Sequence, residues 1–262
     1  MISKLLDSRP RLIATLLFNL RCFPLKIALR FPVVLFGKVY TKGCKRGCIT
    51  FDCKVSLGLV KIGYCALRWR PPYNISSYNN RGKHIVKGKC TIGPGSIVSV
   101  GKNGVLTTGD YCWLNANSKI ICEENIILED RVLCSWDTQI MDSDMHYTLK
   151  SGKISRNHNS IFIGAYSWIC NRSTIGRGAF IPQKSIVASY SLVNGSFSQR
   201  GEKLLLAGIP AKVKCSDIQR VANKWGVTIL DKYLNKVFDL TDESIIKIDD
   251  EKLLEIRNNI VE

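Results

Sequence analysis

The sequence predicts an all-β solenoid, a parallel β-helix built from hexapeptide repeats. Between residues 163 and 193 the pattern repeats strictly every six residues. The first place of each block is aliphatic: Ile163, Ile169, Ile175, Ile181, Val187 and Val193. The fifth place is always small: Ser167, Ser173, Ala179, Ser185 and Ser191. A helix repeats every 3.6 residues and a strand every two, so neither explains a period of six. A solenoid with flat faces does, because one aliphatic side chain per face points inward and small residues fit where the chain turns.

The patterns on either side of this stretch divide the chain into three parts. Residues 1–46 form a basic, apolar N-terminal segment, residues 47–215 form the β-helix, and residues 216–262 show the spacing of short helices. Within the β-helix, the polar residues 66–84 predict a loop, with His84 as a surface histidine at its end. The sixfold spacing returns after Lys87 and breaks again at residues 147–160, which predict a loop outside the solenoid.

The N-terminal segment permits two interpretations. Its apolar run from Leu12 to Leu20 is too short for a membrane span, which needs roughly 20 apolar residues. A cleaved signal peptide is also a poor fit, since no small-residue cleavage site follows. The segment either caps the open end of the solenoid or rests as a basic amphipathic segment on an anionic membrane surface. The residues expected to form the cap are Leu16, Leu17, Leu20, Ile27, Leu29 and Val33.

Charge and cysteine content restrict the partners and the compartment. The formal net charge is +17, and residues 1–50 contain ten Lys or Arg and a single Asp. Such a basic balance attracts polyanions, but the chain has no recognisable nucleic-acid reading element, so we expect no nucleic-acid partner. The eleven cysteines include no CxxC pair, which favours a reducing, cytoplasmic environment without a disulfide framework. Without clustered Cys and His, we expect no metal.

One motif, DSDMH, carries candidate chemistry where the repeat breaks. It ends at His146 and contains Asp142 and Asp144. A carboxylate or a backbone carbonyl on one ring nitrogen leaves the other nitrogen free to act as a base. The sequence alone does not decide which aspartate orients the histidine.

Three motifs resemble the hexapeptide-repeat acyltransferases, which include galactoside, maltose, serine and antibiotic acetyltransferases. They are ILEDRVLCSWDTQIMDSDMH, IFIGAYSWICNRSTIGRGAFIP and AGIPAKV, and they fall in the family's order within residues 87–215. The resemblance implies a left-handed coil and a homotrimer with acetyl-coenzyme A (acetyl-CoA) between neighbouring solenoids. The N-terminal segment and the SWDTQIMDSDMH variant look most similar to enzymes of surface-polysaccharide and lipopolysaccharide synthesis.

The resemblance also implies roles for individual residues. His146 matches the catalytic histidine, and Asn115 and Glu123 match acceptor-binding positions. From the DSDMH motif itself, rather than from the resemblance, we expect Asp144 to support His146 and Asp142 to bind the acceptor or to be the alternative orienting partner. The implied cofactor-lining residues are Ser135, Trp168, Asn171, Ser189 and Lys212, with Trp168 beside the pantetheine arm and Lys212 near the adenosine phosphates. The chain departs from the family at Asn194-Gly195, where a basic residue is usual, and Lys203 and Arg200 are the substitutes that the sequence offers.

The expected function is therefore acetyl-CoA-dependent O-acetylation of a carbohydrate hydroxyl by an enzyme in the cytoplasm or at the inner face of the cytoplasmic membrane. N-acetylation of an amino sugar and a non-enzymatic solenoid scaffold are the alternatives. The β-helical carbonic anhydrases need three zinc-ligating histidines. The three histidines of this chain, His84, His146 and His158, lack close ligand spacing, so we do not expect a carbonic anhydrase.

Overall fold

The computed structural model describes residues 9–65 and 75–221, and it is a parallel β-helix. Three sheets form its faces, and their strands are parallel apart from the last pair of sheet 1. Sheet 1 contains β1 (Val33–Leu35), β4 (Val60–Ile62), β7 (Cys90–Ile92), β10 (Cys112–Leu114), β13 (Leu133–Cys134), β18 (Trp168–Ile169), β21 (Ile186–Val187), β23 (Leu205–Gly208) and β24 (Ala211–Cys215). Sheet 2 contains β2 (Val39–Tyr40), β5 (Ser76–Asn80), β8 (Ile97–Val100), β11 (Lys119–Cys122), β14 (Gln139–Met141), β19 (Thr174–Ile175) and β22 (Leu192–Val193). Sheet 3 contains β3 (Ile49–Phe51), β6 (Lys83–Val86), β9 (Val105–Thr108), β12 (Asn125–Leu128), β17 (Ile161–Ile163) and β20 (Phe180–Ile181).

Each coil passes from sheet 1 to sheet 2 to sheet 3, and then begins the next coil. The register between coils is regular, since Ile169 of β18 pairs with Val187 of β21, three hexapeptides later. We call the corner between sheets 1 and 2 the 1–2 edge, and the corner between sheets 2 and 3 the 2–3 edge. The parallel β-helix confirms the predicted fold class.

The hexapeptide pattern corresponds to an inward stripe of side chains. All six aliphatic residues at the first place of the repeat are fully buried, and the small residues at the fifth place are buried beside them. Burying a Val or Ile side chain contributes about 1.5–3 kcal/mol relative to leaving it exposed. Because six consecutive faces repeat this burial, the stripe is the main source of stability of the C-terminal coils.

The solenoid begins earlier and is more continuous than the sequence predicts. Strand β1 pairs with β4, and β2 pairs with β5, so the first coil starts at Val33 rather than at residue 47. The predicted loop over residues 66–84 is wrong for its second half, because β5 and the start of β6 lie there as regular strands. These strands are rich in polar residues, so the sequence pattern did not reveal them. Residues 66–74 lie outside the described part of the chain.

His84 lies inside the solenoid, and its prediction as a surface histidine is wrong. Its ring is fully buried. Nδ1 hydrogen-bonds with Tyr78 Oη at 2.7 Å and Nε2 with Thr108 Oγ1 at 3.0 Å. These partners replace the water that burial removes, so a polar side chain is accommodated in the core. Burial lowers the pKa of His84 to about 4, because the charged form loses its solvation.

Two helices cover the first coil. They are α1 (Leu12–Cys22) and the single turn α2 (Leu25–Ala28). The side chain of Asn19 donates to Val33 O at 2.7 Å, and Thr15 Oγ1 accepts from Leu35 N at 3.0 Å. These bonds satisfy backbone groups of β1, which would otherwise form an open sheet edge.

The face of α1 that packs on the solenoid is not the one predicted. Its buried residues are Thr15, Phe18, Asn19 and Cys22. Of the predicted capping residues, Leu16, Leu17, Leu20 and Leu29 are exposed, whereas Val33 is buried and Ile27 packs against the core. The helix packs with its mixed polar face because Thr15 and Asn19 supply hydrogen bonds to the edge of β1, beside the backbone bond from Arg11 N to Leu35 O.

The predicted loop at residues 147–160 contains a β-hairpin. Its antiparallel strands are β15 (Thr148–Lys150) and β16 (Lys153–Ser155), which lie outside the three faces of the coil. Tyr147, Leu149 and Ile154 are exposed apolar side chains on this hairpin.

The C-terminal boundary of the first compact unit falls at Gln219, and a second unit comprises residues 220–262. The predicted C-terminal helices of residues 216–262 lie, from residue 222 onward, outside the described residues. None of the helices in the described part of the chain is long and apolar enough to cross a membrane.

The buried His84 predicts a specific dependence of stability on pH. The unfolded histidine protonates below its ordinary pKa of about 6.5, whereas the folded one resists protonation down to about 4. Its contribution to stability is complete above pH 6.5 and falls by about 3 kcal/mol as the pH drops to 4. In urea unfolding, His84→Gln is expected to lose less stability than wild type over this range. Parallel losses in the two proteins would contradict the assignment.

Candidate active site

The sequence-predicted site residues lie along two edges of the solenoid. The residues at the 2–3 edge, following strands of sheet 2, are Glu123, Asp142, Asp144 and His146. The residues at the 1–2 edge, following strands of sheet 1, are Asn115, Ser135, Asn171 and Ser189, with Trp168 on β18 beside them. Sheet 2 separates the two groups within one chain. The structure therefore brings the members of each group together but does not bring the two groups together.

His146 lies in the exposed turn that leads from β14 into the hairpin. The preceding Met145 has a positive φ of 60°, which turns the backbone sharply at this point. The imidazole makes no hydrogen bond or ion pair to another described residue. Its ring nitrogens are therefore open to a ligand from outside this part of the chain.

Asp142 is fully buried and is engaged by the backbone. Its two carboxylate oxygens accept hydrogen bonds from Glu123 N at 2.7 Å and Glu124 N at 2.9 Å. Asp142 thereby fastens the corner of one coil to the corner of the preceding coil. Both oxygens are engaged, so the carboxylate that remains exposed near His146 is that of Asp144.

Asp144 makes an ion pair that links the segment to the next coil. Its Oδ2 lies 2.5 Å from Arg177 Nε, and both side chains are partly exposed. Its backbone N donates to Asn157 O at 2.7 Å across the base of the hairpin. The position of Asp144 is thus set from two sides.

A polar cleft of about 440 Å³ opens beside this segment. It is lined by Asn103, Glu123, Glu124, Ser143, Met145, Tyr147, Arg156, Asn157 and His158. The side chain of Glu123 packs over Gly101, where a Cβ atom would lie only 2.1 Å from Glu123 Oε2. Glycine at this position leaves room for the carboxylate.

Of the residues that line the cleft, only Glu123 was predicted from the sequence, and the ionisable residues that were missed are Glu124, Tyr147, Arg156 and His158. Arg156 Nη2 donates to Glu124 Oε1 at 2.7 Å, whereas the buried Glu124 Oε2 has no hydrogen-bond partner among the described residues. His158 Nδ1 hydrogen-bonds with Asn157 Oδ1 at 2.7 Å. Glu124 directly follows the predicted Glu123, which was the available signal. Arg156 and His158 reach the cleft only through the path of the hairpin.

A second cavity, of about 560 Å³, lies over the outer face of sheet 2. Its lining residues are Gln139, Met141, Ser143, Asp144, Thr174, Gly176, Arg177, Leu192 and Asn194. Ser143 lines both cavities, so they meet at the segment that leads to His146. The outer face of sheet 2 thus carries a continuous recess toward the 2–3 edge.

The 1–2 edge presents small polar side chains in successive coils. Trp168 Nε1 donates to Ser135 Oγ at 2.9 Å, and Ser189 Oγ donates to Asn171 Oδ1 at 2.7 Å. Asn115 Nδ2 donates to Cys134 O at 3.2 Å. These bonds orient the polar groups along one line of the solenoid.

Trp136 belongs to the same edge and was given no role from the sequence. It follows Ser135 at the corner, and 44% of its surface is exposed. A large aromatic side chain at an exposed corner offers a flat face to a ligand or to another chain. Its place in the SWDTQ motif was the available signal.

The two lysines predicted near the cofactor phosphates, Lys212 and Lys203, lie at different corners of the solenoid. Lys212 is an exposed residue of β24 that pairs with Ala207 in sheet 1, so it lies near the C-terminal end of the 1–2 edge. Lys203 lies at the corner between sheets 3 and 1. Its backbone N donates to Gln183 O, and its Nζ lies 3.0 Å from Asp217 Oδ1. Of these two lysines, Lys212 is therefore the one that accompanies the polar line.

The two aspartates are expected to contribute differently to stability. Asp142→Ala leaves two backbone N–H groups without their acceptor, which is expected to cost about 2–4 kcal/mol. Asp144→Ala removes a partly exposed ion pair worth less than about 1 kcal/mol. Urea unfolding of the two variants measures the difference. Equal losses would show that Asp142 does not anchor the corner.

Comparison with known proteins places the fold beside solved acetyltransferases. A scan against protein-family models finds no match, and neither does a search of the curated proteins. A hexapeptide-repeat-containing acetyltransferase from Vibrio cholerae O1 biovar eltor, solved with acetyl-CoA, is 25% identical, with 51% of this chain and 70% of that chain covered and a TM-score of 0.43. A galactoside acetyltransferase in complex with coenzyme A is 20% identical over 48% of this chain and 67% of its own, with a TM-score of 0.39. A polySia-specific acetyltransferase is 15% identical over 82% and 91% of the two chains, with a TM-score of 0.47. The solenoid of this chain is similar to those of these hexapeptide-repeat and glycan acetyltransferases.

Proposed function

We propose that the chain is an acetyl-CoA-dependent O-acetyltransferase that acts on a sugar hydroxyl of a surface glycan or its precursor. The observation that carries the proposal is a polar cleft lined by Glu123 and Glu124, whose lining also includes Met145 and Tyr147, the residues on either side of the exposed His146. The motif resemblance of the DSDMH segment supports the same assignment. The enzyme would work in the cytoplasm or at the inner face of the cytoplasmic membrane.

The cleft suits a carbohydrate acceptor. Carboxylates accept hydrogen bonds from sugar hydroxyls, and Glu124 Oε2 is buried without a partner among the described residues. An acceptor hydroxyl would reach this enclosed oxygen only after rotation of the Glu124 side chain, whereas the half-buried Glu123 offers its carboxylate to the cleft directly. Asp142 then acts as a positioning residue, because it binds the backbone N–H groups of both glutamates.

His146 would act as the general base. A sugar hydroxyl is a poor nucleophile at neutral pH, and removal of its proton by a positioned imidazole accelerates attack by about 10²–10⁴-fold. Acetyl-CoA, when bound, supplies the thioester carbonyl that the hydroxyl oxygen attacks. The protonated His146 would return its proton to the departing thiolate. Asp144 would stabilise the imidazolium, and Arg177 fixes the position of that carboxylate.

The 1–2 edge fits the acyl donor. Successive coils offer the small polar residues Ser135, Asn171 and Ser189, and Lys212 follows near the end of the line. Trp168 would pack against the pantetheine arm with the ring face that its hydrogen bond to Ser135 orients. A basic residue near the end of this edge is suited to the phosphates of the donor.

A homotrimer would complete the site. Asn115 and His146 lie at different edges of one solenoid, so an acceptor that touches both must bind between two copies. A closed cyclic assembly places the 2–3 edge of each copy against the 1–2 edge of its neighbour. The exposed Tyr147, Leu149 and Ile154 of the hairpin offer apolar surface for that contact.

The roles of His146 and Trp168 predict different kinetic defects. His146→Ala removes proton transfer, so turnover should drop by about 10²–10⁴-fold with little change in the affinity for coenzyme A. Trp168→Ala removes apolar contact with the donor, so the KM for acetyl-CoA should rise while turnover falls less. The assay is thiol release from acetyl-CoA in the presence of a sugar acceptor.

His158 provides the matched comparison for this assay, because it is the other histidine beside the cleft. Wild-type turnover in His146→Ala, or a larger loss in His158→Ala, would refute the assignment of the base. No thiol release by the wild-type protein, together with no binding of coenzyme A, would favour a non-enzymatic scaffold.

The shared site predicts complementation between two inactive variants. His146→Ala and Asn115→Ala should each be nearly inactive alone. After denaturation and joint refolding, every mixed trimer has one interface at which both residues are intact, so random assembly should restore about one quarter of wild-type activity. Light scattering should report a trimer for each variant alone and for the refolded mixture. An active monomer, or no recovery after subunits have demonstrably mixed, would refute the shared site.

A further inference from the structure

Helix α1 presents a second apolar face, which is exposed in the described part of the chain. The residues that pack on the solenoid are Thr15, Phe18, Asn19 and Cys22. On the other side, Leu12 is 75% exposed, Ile13 is 77% exposed and Leu17 is 61% exposed. The remaining exposed leucines of the two helices are Leu16, Leu20, Leu25 and Leu29. We call these seven residues the α1 apolar surface.

This surface is larger than the scattered apolar residues of an ordinary protein exterior. Leu12, Ile13, Leu16, Leu17 and Leu20 follow the spacing of one helix face, so their side chains are neighbours. A contiguous exposed apolar surface of this kind marks an interaction site. Because the opposite face of α1 is tied to β1 by hydrogen bonds, the surface is presented outward on a fixed support.

The charge around the surface selects its partner. Residues 9–51 contain nine Lys or Arg and no Asp or Glu. Arg11, Lys26 and Arg30 are exposed among the leucines or directly beside them. An apolar face with Arg11, Lys26 and Arg30 among or beside its leucines complements an interface that is apolar beneath and anionic above, which describes the headgroup region of an anionic bilayer.

A groove beside α1 adds a place for an anionic group. It has a volume of about 270 Å³ and is lined by Arg11, Ala14, Leu35, Gly37, Lys38, Val39, Tyr40 and Ile75. Arg11 and Lys38 bring two cations to this groove, while the exposed Tyr40 and Ile75 extend its apolar rim. The groove thus combines positive charge with apolar surface, as the helix surface does.

We propose that the α1 apolar surface is a membrane-docking site that binds anionic phospholipid bilayers. The leucines and Ile13 enter the interfacial region of the leaflet, Lys26 and Arg30 contact phosphate groups, and the groove of Arg11 and Lys38 receives a lipid headgroup. The helix lies in the plane of the membrane, because its other face is packed on the first coil.

The docking site deepens the proposed function by locating the enzyme beside a lipid-linked acceptor. In a cyclic trimer all copies point the same way along the symmetry axis, so three α1 surfaces lie at one level of the assembly. Three linked contacts with one membrane bind more tightly than a single contact. The docking itself does not require the trimer or the acetyl transfer.

Co-sedimentation of the full chain with lipid vesicles tests the proposal. Wild type is expected to bind vesicles of phosphatidylcholine with phosphatidylglycerol, to bind pure phosphatidylcholine at least about tenfold more weakly, and to dissociate as salt is raised. Ile13→Asp is expected to weaken binding to the anionic vesicles by about tenfold or more, because it places a carboxylate in the apolar contact. Ile209→Asp is the matched control, since Ile209 is 73% exposed in the turn after β23, at the other end of the stack of coils.

A charge pair of variants tests the groove independently of the helix surface. Arg11→Glu is expected to weaken binding to anionic vesicles, whereas Lys214→Glu, at the exposed end of β24, is expected to retain it.

Equal binding to neutral and anionic vesicles, no binding by wild type, or equal binding by Ile13→Asp and Ile209→Asp would overturn the proposal. Light scattering supplies a further refutation: loss of a larger oligomer in Ile13→Asp, with lipid binding unchanged, would make the surface a contact between copies. Thiol release with a soluble acceptor is expected to be normal in Ile13→Asp, so failure of docking and failure of the acetyltransferase are distinguishable.

Discussion

The burial of one aliphatic side chain every six residues is the constraint on which the rest of the structure depends. Ile163, Ile169 and Ile175 begin a stripe in which each side chain is fully enclosed by the coils above and below it. A shift of register by one residue would expose every member of the stripe and bury its polar neighbours. The corners of the solenoid are therefore set by the same pattern, and so are the side chains that each corner displays.

The candidate site arises where that pattern is interrupted. The fifth place of the repeat that begins at Ile140 is Asp144, which is exposed, and the chain then leaves the coil for the hairpin. Asp142 compensates for the interruption, because its buried carboxylate binds the corner of the preceding coil. The exposed His146 is thus supported by a rigid corner although it lies in a turn. An irregular segment that is fixed to a regular stack of coils can hold a reactive side chain in a defined position.

Sequence reasoning succeeded where burial and pattern agree, and it failed where polar groups are buried. Strand β5 reads SSYNN, which gives no aliphatic signal, yet Tyr78 is buried in the core and hydrogen-bonds with His84. The leucines of α1 show the opposite case, because apolar residues predicted to cap the solenoid remain exposed. Both places also contain a side-chain hydrogen bond to a residue distant in sequence, from Asn80 to Cys48 O in β5 and from Asn19 to Val33 O in α1, which no local pattern reports.

The sequence by itself determined the solenoid, the position at which its register breaks and the residues that bear chemistry, because all three follow from spacing along the chain. Only the tertiary structure decided which of those residues are neighbours. It separated Asn115 from His146 by the width of sheet 2, joined Trp168 to Ser135, and brought Arg156 and His158 to the cleft through the hairpin. The physical reason is that each coil stacks residues about eighteen positions apart, or more where the hairpin is inserted, so the geometry of a site depends on the stacking of whole coils and the path of the inserted loop.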